Sequence, residues 1–449
     1  MRLSRLSTTT AAAALLAVPG SAQTLLAQDP LQDDDAVTVT ITPSFLTDEV
    51  VQPDPRQATV QHWTIDNATA LASLLENVGA EGLDPADYRP DLLRAAIANG
   101  EGTALDQRAS GVFAWLIEDL RDGRTPMSAR RQWFVVDPDA DLMPTAQVMS
   151  DALASGDVAG VVDRLAPVHA DYAALREELA NTPQSQTSKR RLIRANMDRW
   201  RWLQRDLGGQ YLLTNVPEMQ LRLMVNGQII RTYRTIVGAV GSPTPQLAET
   251  VEGVIFNPTW TVPQSIVRGE GLGNRVLNNP SWARANGYTA TRGANGYISV
   301  VQQPGPGNSL GVMKLDMPNP HAIFLHDTPA RGLFASENRA RSHGCVRVER
   351  ALELAMTVAI LGRGATRDEA VAISTSGEYT RVPVERTMPV YITYFTYGVD
   401  VDGNLRQYND IYGRDAPVLA ALDAPRVGNR ARQTDEEAVE IVDDIRSTV

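Results

Sequence analysis

From Ile65 to Glu178 apolar residues recur every three or four positions. Leu71, Leu74, Leu75 and Val78 share one helical face, and Val112, Trp115, Leu116 and Leu120 share another, with Pro85, Pro90, Pro126 and Pro138 as breaks. This spacing predicts a structural helical domain. A polar run over 181–189 follows as a linker. The basic, aromatic stretch Arg194 to Leu203 then predicts an amphipathic helix that packs Trp200 and Trp202 against a neighbouring domain. After Met219 the period drops to two. Leu221, Leu223 and Val225 alternate with polar neighbours up to Asn226-Gly227, and Ile229, Ile230, Tyr233 and Ile236 follow, which predicts a hairpin with a two-residue turn. Further strands are expected over 251–256, 297–301 and 322–325. A second hairpin, Val390 to Val401 and Leu405 to Tyr412, should turn at Asp402-Gly403, and a helix should run from Val348 to Leu361. The expected class is α+β: a β-rich domain over 190–425 behind a separate N-terminal helical domain over 46–180.

The segment 264–310 breaks both periods. Gly269, Gly271 and Gly273, then Asn279-Pro280, then Pro304-Gly305-Pro306-Gly307 predict a long irregular stretch, which in a compact domain reads as a lid or capping segment. At the N-terminus Arg2 and Arg5, the apolar run Ala11 to Val18 and the small residues Gly20-Ser21-Ala22 have the order of a secretory signal peptide over 1–22, too short to span a bilayer. A loose lead over 23–45 and a charged tail over 426–449 complete the division. The mature chain is expected in the periplasm with no transmembrane segment. With 53 acidic against 42 basic residues the net charge is −11, which argues against a nucleic-acid partner. No cofactor is indicated.

Three of the five histidines, His321, His326 and His343, cluster beside the single cysteine, Cys345. An exported chain with one cysteine has no intramolecular disulfide, so the thiol is either an inert buried group or a reactive one. The neighbours favour reactivity. A thiol attacks as the thiolate, whose formation is helped by a nearby base and by a helix N-terminus. His326, at the end of the strand 322–325, is the candidate base, and the helix expected from Val348 would turn its positive end toward the sulfur. Gly344 allows a tight turn, and the successive amides of His343, Gly344 and Cys345 could receive an oxyanion. Asp327 is the adjacent carboxylate, although strand alternation would turn it to the opposite face. His321, His62 and His169 read as satisfied or surface residues. His326, His343 and Cys345 match neither a short ligand pair nor the two-histidine helical motif, so no metal is expected.

The run His326-Asp327-Thr328 followed by Ser342-His343-Gly344-Cys345-Val346-Arg347 resembles the signature of L,D-transpeptidases with a YkuD-type catalytic domain. Asn196 to Trp202, Phe256 to Pro263 and Asp410 to Pro417 resemble the large periplasmic YcbB-like branch, whose scaffold domain the helical part is similar to. The usual peptidoglycan-binding module of that branch has no counterpart; only the linker 181–189 stands in its place. The resemblance implies a peptidoglycan enzyme in which Cys345 attacks a tetrapeptide donor stem, releases D-alanine as a thioester forms, and passes the acyl group to a diaminopimelate side-chain amine, giving a 3-3 cross-link. It implies catalytic roles for Cys345, His326 and the backbone of His343 and Gly344. Substrate-binding roles are implied for Ser342, Arg347, Trp260 and Asp327, and acylation of Cys345 by carbapenems. Attachment of an outer-membrane protein, its release by hydrolysis, or exchange of the terminal D-amino acid would use the same residues. A non-catalytic wall-binding scaffold is the reading from another class.

Overall fold

Capping groups, prolines and glycines cut the helical sequence into short rods. Thr64 caps the helix Ile65–Asn77 by accepting from the amide of Asn67, and Asp84 caps Pro85–Tyr88 through the amide of Ala86. Pro90 opens the helix Pro90–Ala98, and Thr103–Asp122 runs for 20 residues until Gly123, at φ 84°, stops it. These belong to a computed structural model that describes residues 60–428 and 431–437. The expected signal peptide over 1–22 and lead over 23–45 lie outside the described residues. Leu71, Leu75, Val112, Leu116 and Leu120, placed on helical faces by their spacing, meet in one core beneath Trp63 and Phe113. No described helix is long and apolar enough to cross a membrane.

The strands are β1 (Gln210–Asn215), β2 (Gln220–Val225), β3 (Gln228–Gly238), β4 (Leu247–Phe256), β5 (Trp260–Thr261), β6 (Tyr288–Arg292), β7 (Ile298–Gln302), β8 (Met313–Asp316), β9 (Leu325–His326), β10 (Ala340–Ser342), β11 (Val346–Val348), β12 (Thr380–Thr393), β13 (Tyr397–Val399) and β14 (Leu405–Gln407). The main sheet runs β10-β3-β11-β9-β8-β4-β12-β1-β2, and β2 also pairs with β3, so the sheet curls back on itself. Asn226 and Gly227 take φ of 50° and 74° in the β2–β3 turn, as the first hairpin requires. The second hairpin survives only as β13–β14. Its expected first half, from Val390, belongs instead to β12, whose ladder partners are β1 and β4.

Both faces of the sheet are covered. Leu212, Val254, Leu325 and Val346 pack with the helix Ala351–Leu361 on one side. Tyr211, Leu213 and Tyr391 pack with the helices Ala170–Asn181 and Thr187–Trp200 on the other. Trp200 is stacked between His169 and Phe395, at 4.3 and 4.4 Å. Trp202 meets Trp133 edge-on at 5.3 Å. The helical region keeps its own core, as expected of a separate domain, and adds Trp133, Tyr172, Leu175 and Leu179 to a second core beside the sheet; the linker shortens because its last residues start the helix at Thr187.

Other expectations need correction. The helix expected from Val348 begins at Ala351, because Val346 to Val348 are taken into ladders with β3 and β9 on either side and Arg350 then turns the chain at φ 52°. Of the strand expected over 322–325 only Leu325 remains, continuing into His326, since Ala322 takes φ 50°. The stretch 264–310 is ordered, with helices Gln264–Gly269, Leu272–Asn278 and Pro280–Ala285 against β5, β7 and β6 around a small core of Val262, Val267, Val276 and Val300. The tail expected from residue 426 starts as a buried anchor: Arg426 donates to the fully buried Asp119 at 2.9 Å and to Glu118 at 2.8 Å.

Gly123 lets the helical region meet the tryptophan helix. A Cβ there would lie 2.6 Å from Trp202 Cδ1, and its φ of 84° with ψ of 153° suits glycine alone. Gly123→Ala is expected to cost roughly 2 to 4 kcal/mol, strain and overpacking combined, read as a lower urea midpoint at unchanged slope.

Candidate active site

Three neighbouring strands build the site. Arg347 on β11 lies opposite His326 on β9, which lies opposite Lys314 on β8. Directly opposed residues in a ladder face the same way, so the three basic side chains form a row, while Leu325, Val346 and Leu315 enter the core behind them. Cys345 precedes Arg347 by two positions and so joins the same face. Its sulfur lies 3.7 Å from the carbonyl of Ala322 and donates to it.

His326 is buried, and its Nδ1 lies 2.5 Å from the backbone oxygen of Asp327. A carbonyl oxygen only accepts, so Nδ1 carries the hydrogen and Nε2 is left as the basic atom. A backbone group thus orients the imidazole. The Asp327 carboxylate points elsewhere, as alternation required: it accepts from the amide of Val312 at 3.0 Å and pairs with Arg331 at 3.2 Å, bracing the turn at Gly311. Burial, then the Arg347 and Lys314 charges, hold His326 down to about 3. Burial pushes the Cys345 thiol up, opposed by a backbone hydrogen bond from Phe324 and by the Lys314 and Arg347 charges. The resting pair is therefore a neutral thiol and a neutral imidazole. Burial lowers Arg347 as well, and its Nε has no hydrogen-bond partner, a group suited to receiving an anion.

The loop before β11 is closed by its own side chain. Ser342 Oγ donates to the Cys345 carbonyl at 2.6 Å and accepts from the Gly344 amide at 3.1 Å. The Gly344 amide is therefore spent, which removes it from the three expected to receive an oxyanion. Gly344 sits at φ 121° with Ile323 close by, and glycine is the residue that tolerates this. The His343 side chain is exposed and reaches the capping segment, its Nε2 3.4 Å from Glu270 Oε1. Trp260 opens that segment on β5, half-buried against its core. His321, expected to be satisfied or on the surface, is buried with Nδ1 unpartnered and its ring 4.2 Å from Phe134.

Lys314 and Thr244 went unnoticed in the sequence. Lys314 had a faint signal, a lone cation in the apolar strand Met313 to Leu315; Thr244 had only Ser242-Pro243 before it. Thr244 Oγ1 donates to the Gly344 carbonyl at 2.7 Å and accepts from the Gly238 amide at 2.8 Å.

Residues 209–392 match the family model described as the L,D-transpeptidase catalytic domain, YkuD, and residues 60–179 match the Scaffold domain model. A Haemophilus influenzae protein curated as a candidate L,D-transpeptidase is 30% identical over 225 residues, 47% of this chain and 45% of that protein. The chain thus spans under half the length of the curated relative it matches. Among solved structures, an Enterococcus faecium L,D-transpeptidase mutant is 11% identical, with 41% of this chain and 50% of that one covered at a TM-score of 0.22. A Mycobacterium smegmatis L,D-transpeptidase is 13% identical, covering 41% and 58% at 0.21.

The depressed His326 has a consequence for stability. The unfolded chain takes up this proton as pH falls through 6.5, the folded chain only near 3. Its contribution is therefore complete above pH 6.5 and is lost on acidification by roughly 1.4 kcal/mol per pH unit. Urea unfolding across that window is expected to show this slope, flattened in His326→Gln.

Proposed function

The chain carries an L,D-transpeptidase catalytic domain of the YkuD type, and from that premise we propose that it forms 3-3 cross-links in peptidoglycan through a Cys345 thioester. The observation that supports this most is the Arg347–His326–Lys314 row beside a single thiol. A stem peptide brings carboxylates, and Arg347 has a free Nε to meet one. A carboxylate seated there offsets the positive neighbour that depresses His326, so the imidazole becomes a stronger base once the donor is bound.

His326 Nε2 then takes the Cys345 proton as the sulfur attacks the carbonyl of the L-centre of diaminopimelate. The tetrahedral intermediate collapses with cleavage of the C–N bond, and the imidazolium gives its proton to the departing D-alanine amine. In the second half an acceptor side-chain amine attacks the thioester, His326 takes a proton from it, and that proton returns to the sulfur as the new amide forms. Trp260 and the capping segment 264–310 border the groove in this reading, and carbapenems acylate Cys345. The chain acts in the periplasm after export. An outer-membrane protein's amine, or a free D-amino acid, in place of the acceptor would be handled by the same residues.

Mass spectrometry of muropeptides after incubation with tetrapeptide stems is expected to give 3-3 dimers and free D-alanine, and none with Cys345→Ala. Protein conjugates or exchanged stems without dimers would replace this acceptor with one of the other two. Arg347→Gln is expected to raise the donor KM by about 10- to 100-fold, the worth of one charge-assisted hydrogen bond. An unchanged KM would remove Arg347 from donor binding.

A further inference from the structure

We propose that Thr244 and Ser242 are positioning residues that aim a two-amide oxyanion hole, formed by the N–H groups of His343 and Cys345, by holding the opposite ends of the same peptide planes. This rests on acyl transfer at Cys345. In a trans peptide the C=O and N–H lie in one plane and point in opposite directions, so a clamp on the oxygen sets the direction of the hydrogen. Three planes make up the Ser342 to Cys345 loop. The middle one offers no donor, because its Gly344 amide is held by Ser342 Oγ at 3.1 Å.

The two outer planes have the reverse arrangement. The plane carrying the His343 amide has its oxygen on Ser342, which accepts from the Ala239 amide at 2.9 Å and from Ser242 Oγ at 3.0 Å. The plane carrying the Cys345 amide has its oxygen on Gly344, which accepts from Thr244 Oγ1 at 2.7 Å. Among the described contacts neither the His343 nor the Cys345 amide donates to anything. Two N–H groups flanking the nucleophile are thus unspent while their carbonyls are gripped. A donor on the carbonyl also polarises its peptide and strengthens the N–H as a donor.

Thr244 is itself held. Tyr412 Oη lies 3.3 Å from its amide and donates to the Gly238 carbonyl at 2.6 Å, while Arg414 donates to the Thr244 carbonyl at 3.0 Å. Gly238 has no room for a side chain, since a Cβ would fall 2.2 Å from the Ser242 oxygen. The grip on the nucleophile loop is therefore a rigid piece of the fold and not a mobile surface hydroxyl.

The test compares two reactions of the same sulfur in the full chain. Acylation by a carbapenem builds an oxyanion; alkylation by iodoacetamide does not. Intact-mass kinetics at one pH are expected to show Thr244→Val acylated about tenfold or more slowly, while alkylation stays within about twofold. Thr244→Ser restores acylation by restoring the hydroxyl. Ser242→Ala gives a smaller loss of the same selective kind, because the Ala239 amide still holds that plane, and it serves if Thr244→Val does not fold. Acylation at the wild-type rate in Thr244→Val, an equal fall in both reactions, or no recovery in Thr244→Ser would overturn the proposal. A wild-type chain that is alkylated but never acylated would instead remove the acyl-transfer reading, and the hole with it.

Discussion

A peptide plane cannot turn one of its ends without turning the other, and the loop around Cys345 is organised by that constraint. The two outer planes are gripped at their carbonyls, on Ser342 and Gly344, and the second grip passes outward through Thr244 to Arg414 and Tyr412. Arg414 lies 4.8 and 4.9 Å from the rings of Tyr394 and Tyr412, and its guanidinium also reaches Gln132 in the helical half of the chain. Burial lowers Arg414 to about 10, the mark of a cation kept out of water by packing. The same helical segment lies along the start of β4, where Phe134 donates to the Gln246 carbonyl at 3.0 Å and its ring lies tilted against that of His321. His321 precedes Ala322, whose carbonyl receives the thiol hydrogen. The helical half is thus linked, through Arg414 on one side and His321 on the other, to the residues that hold the Cys345 loop.

Electrostatics give the site its other character. Burial, with two cations beside it, makes the His326 imidazolium costly, and burial of the sulfur makes the Cys345 thiolate costly, so both groups rest neutral.

Cys345, His326 and Gly344 stood out in the sequence because residue type and short spacing mark them, and β11 and β9 lie side by side in the fold. The first hairpin was legible for the same reason, since Asn226-Gly227 can take the positive φ values its turn needs. β1 was not, because helices cover its outer face and a closed core its inner one, so Tyr211-Leu212-Leu213 shows no alternation. Ala322 hid a turn inside what reads as a strand, and Arg426 hid a buried partner inside what reads as a tail; both are decided by contacts distant in sequence. Thr244 was invisible on principle, since a threonine's hydroxyl means nothing until the fold supplies a carbonyl for it.

The segment over 264–310 begins and ends at one place. Trp260 on β5 pairs with Gln302 on β7, and Asn308 Nδ2 donates to the Pro258 carbonyl at 3.0 Å, so the chain leaves and rejoins the main fold across a single stapled neck. What lies between has its own small core. Because the neck already closes the loop, lengthening or trimming the intervening helices adds little closure entropy and disturbs no strand of the main sheet. The segment is in effect an exchangeable cassette, whose helices can change in length while the main sheet below its neck keeps its strands and register.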